Sequence, residues 1–158
     1  MKLSELLDKW SLSSLKVNAG FLNMEFQPND HEKDAAWALY VELLTRVTVQ
    51  ALPAGQGDEA AALASVHQLF AITRDIMRAP GARHANQFAR LAIVILNQKV
   101  RPFTTRWHRA SLAGAFSEAA ACQRFRDELA ELQDVLTRYA GLLSELAGVE
   151  DLTLLEQA

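Results

Sequence analysis

Cysteine is all but absent from this chain. Cys122 stands alone, which excludes an internal disulfide and any zinc site made of clustered thiolates. The histidines, His31, His67, His84 and His108, are scattered, and the Glu-x-x-His spacing of a di-iron bundle is missing. Local spacing therefore offers no metal site, and no cofactor is expected. Glycine-rich phosphate loops are lacking as well: Gly55-Gln56-Gly57 has neither the spacing nor the lysine of a nucleotide cradle and reads as a connection. The longest apolar run, Leu91 to Leu96, falls far short of the roughly 20 residues that a membrane-spanning helix needs. The opening residues Met1-Lys2-Leu3-Ser4-Glu5 lack the charged-then-apolar layout of a secretion signal, so a reducing cytosol is the expected setting. Nor is there an overall positive excess. A formal net charge of -3 gives no general reason to expect attraction to nucleic acid or to a membrane surface.

Half of the residues are hydrophobic and 22% are charged, enough apolar surface to offset the entropy lost on ordering the chain. A length of 158 residues suits one domain with one core. Leu3, Leu6, Leu7 and Trp10 recur at helical spacing and predict a short first helix. Apolar residues then alternate, through Leu15 and Val17 and again through Leu22, Met24 and Phe26, which suggests a β-hairpin turning near Ala19-Gly20. Asn29 followed by Glu32 reads as a helix cap with an acidic residue in the first turn, and a stripe of Trp37, Tyr40, Leu44, Val47 and Ala51, widened by Leu39 and Leu43, carries that helix to about Leu52-Pro53. Asp58 caps the next helix, with Leu63, Val66, Phe70, Thr73 and Met77 on one face and Pro80-Gly81 as its stop.

A third helix, from about Ala85 to Val100, is apolar on nearly every side, as a central helix would be. Pro102 is expected to kink or end it, leaving Phe103 to His108 as a further turn or short helix. After a capping Ser117, the longest helix carries Cys122, Phe125, Leu129, Leu132, Leu136, Tyr139, Leu143 and Leu146 at spacings of three and four, a heptad seam that Gly148 terminates. The expected architecture is mainly α: a single domain over 1–158, with a short helix and hairpin in 1–28, an antiparallel bundle of about four helices in 29–148 and a tail in 149–158.

Charge is distributed unevenly. Between Ile76 and Ser117 there is no Asp or Glu, while Arg78, Arg83, Arg90, Lys99, Arg101, Arg106 and Arg109 fall there; from Glu118 onward acidic residues dominate. Either the basic third helix packs beside the acidic fourth and the charges offset each other, or a basic face stays open for an acidic protein or for phosphates. Arg101, Phe103, Arg106, Trp107, His108 and Arg109 concentrate cations with aromatics, a mixture found at interface hot spots and at base-stacking platforms. Phe103 and Trp107 are also one turn apart, where they would share a face and plug a core. Asp30, His31, Glu32 and Asp34 cluster where a helix N-terminus favours negative charge, so capping explains them better than catalysis. Cys122 falls in register with the seam and reads as a small hydrophobe rather than a nucleophile.

The segment from Leu96 to Arg109, with Ala35-Ala36-Trp37 and Glu42-Leu43-Leu44-Thr45-Arg46 before it, resembles small helical proteins of bacteria, some of them components of multi-protein defence or signalling systems. The resemblance spans Trp37 to about Tyr139. It implies an adaptor role and brings no activity, cofactor or catalytic residue. The expected function is a non-catalytic protein-interaction module that meets a protein partner or its own copy. Its candidate surfaces are the basic segment named above and, as an oligomer seam, Phe125, Leu129, Leu132, Leu136, Tyr139 and Leu143. Nucleic-acid or phosphate binding through residues 78–109 is the alternative, and a small enzyme with a site assembled only in space is a third reading.

Overall fold

Asn29 acts as its position predicts: its Oδ1 accepts the Glu32 N–H at 2.9 Å and opens helix α3, Asp30–Leu44. The computed structural model describes residues 1–55, 57–153 and 155, and the protein is mainly helical. Before α3 come α1, Leu3–Lys9, and the single turn α2, Ala19–Leu22; after it come α4, Glu59–Arg78, α5, Asn86–Ile95, α6, Arg101–Leu112, and α7, Ala119–Ala147. Among the described residues no helix is long and apolar enough to cross a membrane.

The expected hairpin is not formed, and no strand occurs among the described residues. Asn18 is the reason. Its Oδ1 accepts the Phe21 N–H at 2.8 Å and caps α2, so the chain coils where the alternation suggested a turn between strands. Phe21 is buried and Met24 exposed, so the apolar residues of this segment share no single buried face. What remains of strand pairing is an isolated antiparallel bridge between Lys2 and Glu25, with the Leu3 N–H donating to the Met24 carbonyl at 2.9 Å.

Helix α3 ends at Leu44, well before the expected Leu52-Pro53. The Thr48 hydroxyl donates to the Leu43 carbonyl at 3.0 Å, taking up an acceptor that a further helical turn would have used, and the Thr45 hydroxyl donates at 2.8 Å to the Val41 carbonyl that also receives the Thr45 N–H. Its buried face is Ala35, Ala36, Leu39, Tyr40 and Leu43, so Leu39, Tyr40 and Leu43 of the expected face are buried while Trp37, at 47% exposure, is not. Helix α7 is its main partner.

Helix α7 is the spine. Phe125, Leu129, Leu132, Leu136, Tyr139 and Leu143 are all buried inside the chain, which removes them as a seam between copies. Glu118, not Ser117, occupies the cap position, and Ser117 lies in a short 3-10 turn before it. The helix ends as predicted at Gly148, whose φ of 71° is the left-handed conformation, with the Val149 N–H donating to the Ser144 carbonyl at 3.0 Å. Near this end α1 is pinned down: a Cβ on Gly141 would lie 2.1 Å from the Trp10 ring, and Trp10 Nε1 donates to Glu145 at 2.9 Å. Tyr40 holds the chain beyond Gly148, accepting the Leu152 N–H at 2.6 Å and donating to the Glu150 carbonyl at 3.2 Å. Of the expected tail, residues 154 and 156–158 lie outside the described residues.

The stretch from Asn86 to Leu112 forms the expected third helix and the further short helix after it, but as one continuous run. Pro102 does not end the helix. A widened turn, Leu96–Val100, precedes it, in which the Arg101 N–H donates to the Leu96 carbonyl, five residues back. Proline has no N–H to give and its ring crowds the carbonyl four residues earlier; opening the turn accommodates both defects and lets α6 run on from α5. Gln98, within the wide turn, forms a two-way clasp with the backbone of Lys16, accepting its N–H at 2.9 Å and donating to its carbonyl at 2.7 Å.

Glu32 has a larger role than local capping. Its buried carboxylate crosses to α5 and accepts the Gln87 and Phe88 N–H groups at 2.9 and 2.8 Å, serving as the cap that Ala85 cannot supply. Replacing Glu32 with alanine would orphan both donors in the interior. The expected loss is roughly 2–4 kcal/mol in urea unfolding; a loss below about 0.5 kcal/mol, the scale of an ordinary surface change, would show that the cross-helix cap is not formed.

Candidate functional site: the groove between α4 and α6

The phase of α6 divides its residues into two sets. Phe103 and Trp107, expected as candidate interface residues, point inward, at 4% and 5% exposure. They join Phe116 and Phe125 in an aromatic cluster, with Phe103 and Phe125 centroids 5.4 Å apart and Trp107 set edge-on to Phe125 at 5.3 Å. Neither ring is available for a base or a partner side chain to stack on. Arg106 is exposed but committed: its Nη2 lies 2.9 Å from Glu128, which also accepts the Trp107 indole N–H. Among the described residues this is the ion pair that joins the basic stretch to the acidic last helix, so charge offset between the two is local. Arg109 is exposed on the solvent side.

Arg101 and His108 do converge, and they do so with residues of α4. Between the two helices runs a groove of ≈ 580 Å³. Helix α4 lines it with Leu63, Ala64, His67, Phe70 and Arg74, whose spacing places them on one face. From α6 come Arg101, Thr104, Thr105, His108 and Ser111, again a single face. The Arg101 guanidinium sits over the Phe70 ring, 4.5 Å from its centroid, and its Nε donates to Asn97 Oδ1 at 3.2 Å, so its charge is held in place without being neutralised. Arg74 stands one helical turn beyond Phe70, which brings both guanidinium groups to the same end. The His67 ring, 5.7 Å from Phe70, lines the middle of the groove. Toward the other end the lining turns small and apolar, with Ala60, Leu63 and Ala64.

The lining holds no Asp or Glu. The carboxylate nearest in sequence on α4's first turn, Glu59, is bound elsewhere, accepting from Arg126 Nε at 2.9 Å; that contact holds its carboxyl below the usual carboxylate range. Electrostatically the groove is thus a short cationic trough with an apolar floor. It can bind an oxyanion through charge-assisted hydrogen bonds, and the hydroxyl of Thr105 adds a further neutral donor. Of the six partner-binding candidates named from the sequence, Arg101 and His108 line the groove, while Phe103, Arg106, Trp107 and Arg109 do not; His67 and Arg74 come from a helix that no linear motif links to Arg101.

The remaining candidates lead away from chemistry. Cys122 donates from Sγ to the Phe116 carbonyl at 3.3 Å, and burial, with Glu59 beside it, pushes its thiol up, the opposite of an activated nucleophile. His31 and His84 meet at 5.4 Å beside a second hollow of ≈ 360 Å³ that also touches Asp34 and Asp75. Among the described residues no group of three or more His, Cys, Asp or Glu side chains could hold a metal ion. No family model, curated protein or solved structure matches the chain.

The division of α6 has a direct test in stability. Trp107→Ala should cost roughly 3–5 kcal/mol, as for a large ring removed from a core, whereas Arg109→Ala should stay within about 0.5 kcal/mol. Equal small effects in chemical denaturation would return Trp107 to the surface.

Proposed function

We propose that this chain is a non-catalytic helical interaction module, an adaptor or subunit, whose working surface is the groove between α4 and α6. The antiparallel helical bundle expected from the sequence is, on this reading, the scaffold that keeps the two lining faces opposed. The observation that carries the proposal is the meeting of Arg74, Arg101, His67 and His108 in one groove whose lining contains no carboxylate. The like charges of Arg74 and Arg101 cost stability through mutual repulsion, and an anionic partner relieves that cost. Recognition through such a face is selective by sign, because an approaching cation meets only repulsion.

Phosphate-rich nucleic acid is the weaker candidate for the partner. One exposed cation of the basic stretch, Arg106, is already paired with Glu128 and is not free for a phosphate. Strong duplex binding draws on many phosphate contacts at once.

The test compares wild-type protein with Arg74→Glu/Arg101→Glu, each recovered from the source cells and weighed intact with whatever travels with it. Wild type should carry an anionic partner whose retention falls as salt rises, and the double variant should hold it at least about tenfold more weakly, the scale of losing desolvated charge contacts. Recovery of wild type as a bare monomer, or equal retention by the variant, would contradict the proposal.

A further inference from the structure

The chemistry along the groove is graded, and that gradient specifies more than a sign. One end presents two guanidinium groups, Arg74 and Arg101, beside Phe70; the opposite end is lined by Ala60, Leu63 and Ala64 from α4, with the Ser111 hydroxyl facing them from α6. Between them His67 and His108 supply ring nitrogens from facing helices. The volume, ≈ 580 Å³, lies in the range of sites for small organic molecules. An inorganic ion would fill only the cationic end and leave the apolar floor wet. A neutral apolar molecule would cover the floor and leave the guanidinium groups without a counter-charge.

Resting on the interaction-module reading above, we infer that the groove is a binding site for a small organic oxyanion, a carboxylate or phosphate head joined to an apolar body. The head lies between Arg74 and Arg101, where the planar guanidinium forks match the geometry of two oxygens. The body runs toward Leu63 and Ala64. Arg101 is already held by Phe70 and Asn97, so little freedom is lost when it engages the head. In this account the anionic partner that the groove takes is this small molecule. Carboxylate and phosphate heads share the recognition chemistry, and the experiment separates them.

Octanoate, octyl phosphate, inorganic phosphate and 1-octanol are titrated into the full chain at low salt, with heat of binding and backbone amide shifts as readouts. At least one octyl anion should bind about tenfold or more tightly than inorganic phosphate and than octanol, since each methylene drawn from water tightens binding by roughly fourfold. Shifts should centre on His67, Arg74, Arg101 and His108, and the preferred head names the ligand class. Arg74→Ala/Arg101→Ala, at two exposed positions, should weaken the octyl anions about tenfold or more. Ala64→Trp, which fills the apolar end and touches no charge, should weaken the octyl anions while leaving inorganic phosphate unaffected.

Four results overturn the inference: no octyl anion binds; inorganic phosphate binds as tightly, an adventitious ion only; octanol binds as tightly; or both variants bind like wild type. If the octyl anions fail while the cell-derived partner is still retained through Arg74 and Arg101, this inference falls and the module reading stands. If both fail, both fall.

Discussion

Five residues, Leu96–Val100, set the geometry on which the site depends. An α-helix advances about 100° per residue, so a turn wider by one residue rotates everything after it by nearly a third of a revolution. The widened turn admits Pro102 and fixes the phase of α6 in the same step. With that phase, Phe103 and Trp107 enter the aromatic cluster while Arg101, Thr105 and His108 face α4. Gln98 ties the turn to Lys16 through two hydrogen bonds, so the N-terminal segment braces the point where the register changes.

Burial and charge then act in opposite directions across one helix. The inner face of α6 gains from apolar area removed from water and from ring contacts. Its outer flank is neutralised where Glu128 receives both Arg106 and the Trp107 indole. On the remaining side, toward α4, positive groups from two helices are brought together without a counter-charge in the lining. A fold selected for stability alone would place an acid among them, as Glu59 is placed against Arg126. The same reasoning makes the two other notable polar features structural: Glu32 completes the start of α5, and Tyr40 holds the chain past Gly148.

The helical class was legible in apolar spacing, and so were the starts of α3 and α4, where Asn29 and Asp58 cap as expected. Gly148 likewise marked the end of α7. The hairpin was misread because alternation over Leu15 to Phe26 looks the same whether the residues pair as strands or coil around a capping Asn18. On α3, Leu39, Tyr40 and Leu43 of the expected face are buried, whereas Trp37, the largest apolar residue, is not, and the small Ala35 and Ala36 are buried with them. Pro102 was read by its usual local effect; the compensating wide turn has no signature in residue types. The spacing on α7 could not say whether its partners came from the same chain, and the burial of Phe125 through Leu143 answers that they do. Of the groove, Arg101 and His108 stood among the expected candidates, and Thr104, Thr105 and Ser111 did not. Its α4 side depended on which face of that helix lies opposite, a matter of tertiary packing.

The phase of α6 is most directly measured by labelling the tryptophans with fluorine and recording the shift of each 19F resonance between H2O and D2O. Trp37, which is 47% exposed, provides the internal reference for a solvated ring. The account predicts a small solvent isotope shift for Trp107 beside a large one for Trp37. A Trp107 shift as large as that of Trp37 would place its ring in water, undo the assigned phase, and with it the convergence of Arg101 and His108 on α4.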